Sequence, residues 1–219
     1  LSTFVHGWGV PVLLNKEGLK KNTVTSLVWK LFERGGRAIV ELAVQVVMAR
    51  LLVPDEFGAL AIMLVFINVG NVIVQSGLNT ALVQAESIDD DDISTVFWLS
   101  FGASILLYGI VFFASPLIAE FYGMEYIVWP LRALSLILLI TALNSVQVAL
   151  VQRELKLRKV FNATLVAVLI SGAAGIAAAV IGAGLWALVL QQLFYQTINC
   201  IVLRLQIRWR PSLVFSRSK

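Results

Sequence analysis

The sequence predicts an all-α fold, a polytopic membrane protein built as a six-transmembrane-helix bundle. Three observations carry this reading. Of 219 residues, 59% are hydrophobic and only 14% charged, with a mean hydropathy of +0.87, whereas a soluble domain carries about 25% charge. The stretches Phe57 to Ala85, Ile93 to Ala119, Ala133 to Gln152 and Val160 to Leu203 contain no charged residue, and a spanning helix needs about 20 apolar residues. The last stretch is long enough for two helices turning at Gly182-Ala183-Gly184. Finally, the basic residues cluster in short segments beside the apolar spans, so the net charge of +4 reads as membrane topology and not as a nucleic-acid surface.

Residues 1–24 form an expected N-terminal cytoplasmic segment. They begin with Leu, and no methionine precedes Met48, so the chain is expected to be a fragment or to be differently initiated. The apolar piece Phe4 to Leu14 is too short to span and lacks a preceding basic region, which argues against a signal peptide. The transmembrane lobe is expected over 25–206, and 207–219 as a cytoplasmic tail or the start of a linker.

The first helix is expected from Thr25 to Leu52, ending before Pro54, with Asp55 and Glu56 placed to favour the N-terminus of the next helix. The second, Phe57 to Gln84, carries a row of amides, Asn68, Asn71, Gln75 and Asn79, whose spacing puts them on one face. The acidic run Glu86 to Asp92 reads as a solvated loop; a calcium loop would need interleaved ligands and a glycine that it lacks. The third helix, Ile93 to Ala114, is almost wholly apolar and predicted to face lipid, with Ser115-Pro116 as its stop.

The fourth helix is expected over Ile127 to Val151, with Thr141, Asn144 or Ser145, Val148 and Gln152 along one side. The fifth, Val160 to Ile181, is rich in Gly and Ala, as closely packed membrane helices often are. The sixth, Leu185 to Gln206, offers Gln192, Tyr195 and Asn199 on one face. The single cysteine, Cys200, falls in an apolar span, so neither a disulfide framework nor a thiolate metal site is expected.

Lysines and arginines crowd the N-terminal segment (Lys16, Lys20, Lys21), the loop after the fourth helix (Arg153 to Lys159) and the tail (Arg204 to Lys219). All fall on one side of a six-helix arrangement, against Arg50 and Arg132 on the other, which predicts both termini on the cytoplasmic side. Tryptophans 29, 98, 129, 186 and 209 fall near predicted helix ends, where interfacial rings prefer to sit.

The lobe is organised around Lys30 to Gly58. Lys30, Arg34, Arg37, Glu41 and Gln45 recur at helical spacing along one side of the first helix. A charge at the bilayer centre costs about 2.5 to 3.5 kcal/mol on insertion scales, so this stripe is expected to face protein or water. Two readings of Lys30, Arg34 and Arg37 stand side by side. They snorkel to headgroups and pair locally with Glu33 and Glu41, or they attract an anionic substrate such as a phosphate. Glu41 is either a structural partner of Arg37 or part of an ion-coupling relay.

No enzyme constellation emerges: no paired histidine, no GxSxG, no Walker loop and no carboxylate pair within a span. No cofactor and no metal are expected. The polar rows on helices one, two, four and six could together line a hydrophilic cleft, and Asn71, Gln75 and Asn144 join the charged stripe as candidate cavity residues. A cleft through a membrane bundle points to transport.

At Ala49 to Gly58 (ARLLVPDEFG) the sequence resembles the Wzx-type polysaccharide flippases of the multidrug/oligosaccharidyl-lipid/polysaccharide exporter superfamily. The resemblance continues in order through Gly77 to Gln84 (GLNTALVQ), Ser94 to Leu99 (STVFWL), Ser115 to Gly123 (SPLIAEFYG), Gln152 to Lys159 (QRELKLRK), Gly184 to Leu193 (GLWALVLQQL) and Arg208 to Pro211 (RWRP). It implies one lobe of a two-lobe transporter in a bacterial cytoplasmic (inner) membrane, with a C-terminal lobe still to come. It also implies a lipid-linked oligosaccharide of undecaprenyl-diphosphate type as cargo, moved by alternating access in cell-surface polysaccharide or lipopolysaccharide biosynthesis. Coupling to H+ or Na+ belongs to the same expectation. In such proteins cationic cavity residues engage the sugar-linked phosphate, and Glu33-Arg34-Gly35 resembles a family pattern. A multidrug cation antiporter, a membrane enzyme of sugar-lipid assembly and a non-functional half remain the alternatives.

Overall fold

Backbone polar groups inside a bilayer find no water, and a helix satisfies them within one segment. The computed structural model describes residues 36, 38–75, 90–153 and 157–206, and all the regular elements among them are helical. The chain divides into two compact units, Leu1–Ala38 and Ile39–Lys219. The first is described only at Gly36 and Ala38, both helical. The second contains α1 (39–51), α2 (Pro54–Gln75), α3 (Asp90–Tyr122), a 3₁₀ turn (Glu125–Ile127), α4 (Val128–Leu134), α5 (Leu136–Arg153), α6 (Leu157–Val180) and α7 (Leu185–Gln206).

Five stretches among the described residues are long and apolar enough to cross a membrane: Pro54–Val74, Ser94–Tyr122, Glu125–Ser145, Phe161–Val180 and Leu185–Gln206. The third joins the 3₁₀ turn, α4 and the first half of α5 into one span. The expected all-α polytopic membrane architecture is therefore the observed one. Of the expected first helix, α1 is the C-terminal part; its earlier residues other than Gly36 and Ala38 lie outside the described ones, as do the end of the second helix and residues 86–89 of the acidic run, while Asp90 to Asp92, expected in that loop, open α3 instead.

α1 stops at Leu51, short of Pro54 as expected, and Pro54 opens α2 where a missing N–H leaves no bond unmade. Glu56 Oε2 accepts a hydrogen bond from the Val53 N–H at 3.1 Å, the backward half of a capping box. The same carboxylate abuts the start of α7, since a Cβ on Gly184 would come within 2.5 Å of Glu56 Oε1. Gly182 and Gly184 turn the chain from α6 into α7 with φ of +84° and +56°, the left-handed conformation that glycine adopts without strain. The α1–α2 and α6–α7 turns thus meet at one end of the bundle.

The expected stop at Ser115-Pro116 does not occur: α3 runs through Pro116 to Tyr122. Proline removes the N–H that would bond the carbonyl four residues back, here that of Phe112. Ser115 Oγ donates to this carbonyl at 2.8 Å, and Arg132 Nε from α4 donates to it at 3.2 Å and to Ser115 Oγ at 2.9 Å. The helix persists because the freed acceptor has replacement donors, a remedy membrane helices use because water is absent.

The expected fourth helix is likewise corrected. A 3₁₀ turn precedes it and a break at Ser135 divides it, where the Ser135 hydroxyl donates to the Arg132 carbonyl at 2.7 Å and competes with the regular ladder. α3 also does not face lipid all round. Ile105, Leu106, Ile110, Phe113, Leu117 and Phe121 are exposed and present an apolar flank for acyl chains, while Ser100, Ser104 and Ser115 are buried on the side turned inward. Ser104 and Ser115 satisfy their hydroxyls by donating to the carbonyl three residues back.

The apolar core gathers Met48, Met63, Ile67, Leu131, Leu134, Leu138 and Leu188, all buried. Met48 and Leu188 lie near the Glu56–Gly184 end of α1 and α7, Met63 and Ile67 near the middle of α2, and Leu131, Leu134 and Leu138 on α4 and the start of α5. Close approach replaces bulk where α6 meets α1: a Cβ on Gly172 would lie 2.6 Å from Val44 Cγ2. Gly172→Ala is therefore expected to destabilise the protein by about 1–3 kcal/mol through overpacking. Adding Val44→Ala should recover most of that loss, as read by thermal unfolding in detergent; equal effects in both backgrounds would show that the two helices do not meet there.

Candidate functional site

Farther from that apolar core, the interior changes character. Counting 1.5 Å per residue from the start of α7, Gln196 lies about 17 Å and Asn199 about 21 Å along the helix. Gln196 Nε2 donates to Thr141 Oγ1 on α5 at 2.8 Å, and Asn199 Nδ2 to Thr164 Oγ1 on α6 at 3.3 Å. These two bonds pin α7 to both neighbours near mid-span. Ser145 and Ser171 close their hydroxyls onto Ala142 and Val168 carbonyls of their own helices.

Three buried amide oxygens have no partner among the described residues. Asn144 Oδ1 and Gln147 Oε1 on α5, and Asn71 Oδ1 on α2, are fully buried and accept no hydrogen bond. Asn144 and Gln147 are themselves 5% and 2% exposed. An acceptor left unsatisfied in the interior costs about 1–3 kcal/mol. α2 and α5 approach closely near these residues, a Cβ on Gly70 falling 2.9 Å from Leu138 Cδ2; Asn71 directly follows Gly70, and Asn144 lies between one and two turns beyond Leu138. The interior thus holds a polar seam of side chains from α2, α5, α6 and α7, part of it bonded helix to helix and part of it, among the described residues, without a partner.

Of the sequence-derived candidates, Asn71 and Asn144 fall in this seam. Gln75 ends α2, and its side chain lies outside the described residues. Glu41 is half-buried on α1. Lys30, Arg34 and Arg37 lie outside the described residues, as does Asn79. The amide row of the second helix divides, because Asn68 is exposed while Asn71 is half-buried. On α5 the expected face is the buried one: Thr141, Asn144 and Ser145 are all turned inward. On α7, Gln192, Tyr195 and Asn199 are half-buried together.

Sequence reasoning missed Gln196, Thr164 and Gln147. Gln196 was within reach, since it stands four residues after Gln192 and three before Asn199 on the same face. Thr164 is a lone hydroxyl in a Gly- and Ala-rich helix and announces nothing by itself. Cys200 is a free, buried thiol. Among the described residues no group of three His, Cys, Asp or Glu side chains could hold a metal ion.

Fold and seam together define a polytopic α-helical membrane protein with a polar interior. The chain belongs to the polysaccharide biosynthesis protein family, whose model matches residues 47–219. It is 25% identical over 197 residues to the succinoglycan biosynthesis transport protein ExoT of Rhizobium meliloti (strain 1021), covering 90% of this chain and 40% of that protein. It is 26% identical over 204 residues to the lipopolysaccharide biosynthesis protein WzxC of Escherichia coli (strain K12), covering 90% of this chain and 41% of that one. The teichuronic acid biosynthesis protein TuaB of Bacillus subtilis (strain 168) matches at 29% over 84 residues, 38% of this chain and 17% of TuaB. The chain therefore spans about two fifths of the length of ExoT and WzxC. No solved structure matches it.

The oxygen of Asn144 gives a test of whether that side chain is structural. Asn144→Leu removes a buried acceptor that has no partner among the described residues and is expected to raise the thermal unfolding midpoint, a gain of about 1 kcal/mol. A variant less stable than the parent would show that Asn144 is held by a partner and is structural.

Proposed function

We propose that the chain is one lobe of a flippase that moves a lipid-linked oligosaccharide, of undecaprenyl-diphosphate type, across a bacterial cytoplasmic membrane for cell-surface polysaccharide or lipopolysaccharide biosynthesis. The observation that carries the reading is a membrane bundle, in this family, whose interior leaves amide oxygens unbonded across neighbouring helices. The transport and biosynthesis roles named for ExoT and WzxC support it. Transport, and not catalysis, is the activity proposed.

In this reading the lipid tail stays in the bilayer while the sugar and its phosphates cross between two lobes by alternating access. Lys30, Arg34 and Arg37 attract the diphosphate, Asn71, Gln75 and Asn144 bond the sugar hydroxyls, and Glu41 couples the step to H+ or Na+. The domain organisation comprises a cytoplasmic segment over 1–24, the six-helix lobe over 25–206, and 207–219 leading to a second lobe. Both ends of this chain are placed on the cytoplasmic side, the side of the basic loop at 153–159. The polar seam then occupies the half of the lobe nearer the cytoplasm and the apolar core the outer half, an arrangement suited to receiving cargo from inside.

Arg34→Ala and Arg37→Ala, introduced together into the transporter with its second lobe, are expected to abolish flipping of a fluorescently labelled lipid-linked sugar in proteoliposomes. Normal expression with unchanged flipping would remove the proposed role of these arginines.

A further inference from the structure

Arg132 does more than replace the proton donor that Pro116 lacks. Its Nε is committed to the Phe112 carbonyl and to Ser115 Oγ. The planar guanidinium lies 4.4 Å over the Phe112 ring and 5.0 Å from the Trp129 ring. That leaves the two terminal amino groups. Among the described residues neither has a hydrogen-bond acceptor and no carboxylate lies within ion-pair distance of them. Glu120, in the last turn of α3, and Glu125, opening the 3₁₀ turn, are the nearest acids in sequence, and both are exposed.

The surroundings say what such an edge faces. Trp129 is 66% exposed, and Leu136, on the same side of the span, is also exposed; across the groove on α3, Phe113 and Leu117 are exposed as well. This is an apolar flank for acyl chains, topped by Trp129, Tyr126 and Tyr122, the side chains of an interfacial belt. Arg132 sits about 10 Å along the span from Glu125, within reach of the headgroup level for a long side chain. A cation with two free donors, fixed in place and facing lipid, calls for an anion presented by lipid, and guanidinium holds phosphate with two parallel hydrogen bonds.

We propose that Arg132, walled by Phe112 and Trp129, holds the phosphate of a membrane lipid in a groove between α3 and α4 on the lipid-facing flank, apart from the interior polar seam. The lipid neutralises the one guanidinium in this span and ties the outer ends of α3 and α4 to the membrane surface. The site does not depend on the cargo assigned above.

Native mass spectrometry of the chain in mild detergent tests it, with phosphatidylglycerol, undecaprenyl phosphate, a diacylglycerol of matched chains and inorganic phosphate as probes. The parent protein should retain a phosphate-bearing lipid and not the diacylglycerol, and inorganic phosphate should not displace it. Whichever of the two phospho-lipids is retained identifies the source. Arg132→Gln keeps a donor for the Phe112 carbonyl but loses the charge, and should weaken retention about tenfold, or about 1.4 kcal/mol. Equal retention of phospho-lipid and diacylglycerol by the parent overturns the proposal whether or not the variant folds. So does displacement by inorganic phosphate, or undiminished retention by a folded Arg132→Gln protein.

Discussion

A proline inside a membrane helix exposes a carbonyl that no water can reach, and in this protein the carbonyl is that of Phe112. Its rescue by Ser115 and Arg132 fixes more than one helix. Because Arg132 reaches across from α4, the same bonds set the position of α4 against α3. α4 continues through Ser135 into α5, which carries Thr141, Asn144 and Gln147 into the interior. The placement of the polar seam thus begins at a broken hydrogen bond near the other end of the same span.

The rest of the interior obeys the same rule from two directions. Where side chains are apolar, helices close on each other through glycine, Gly172 against Val44 and Gly70 against Leu138. Where they are polar, hydroxyls turn back on their own helix or amides reach a neighbour, as Gln196 reaches Thr141. Asn71, Asn144 and Gln147, and on α3 the Ser100 hydroxyl, stand outside the rule, with buried oxygens that have no partner among the described residues. In a medium that penalises such groups, the three amides are the physical reason for treating this seam as the candidate site.

Much of this was legible in the sequence, for reasons that can be named. Charge-free runs, the glycine turn at 182–184 and the Pro54 boundary depend on local chemistry, and each fell where expected. The stop at Pro116 failed because that rule supposes an unsatisfied carbonyl would be left behind; the donor that removes the problem lies 20 residues away in sequence and leaves no local trace. Arg132 counted only towards topology for the same reason. The seam was half legible: helical spacing found the inward face of α5, but spacing cannot tell which of Gln192, Tyr195 and Gln196 will meet a partner, nor that Asn68 is exposed while Asn71 turns in. The charged residues Lys30, Arg34 and Arg37 lie outside the described residues.

The central claim is that Arg132 is held in the membrane by a need created at Pro116. A double-mutant cycle measures it directly, comparing unfolding free energies in lipid micelles for the parent, Pro116→Ala, Arg132→Met and the pair. Alanine at 116 restores the missing N–H, so the loss caused by Arg132→Met should shrink in that background, with a coupling of about 1 kcal/mol or more. Strictly additive effects would contradict the account.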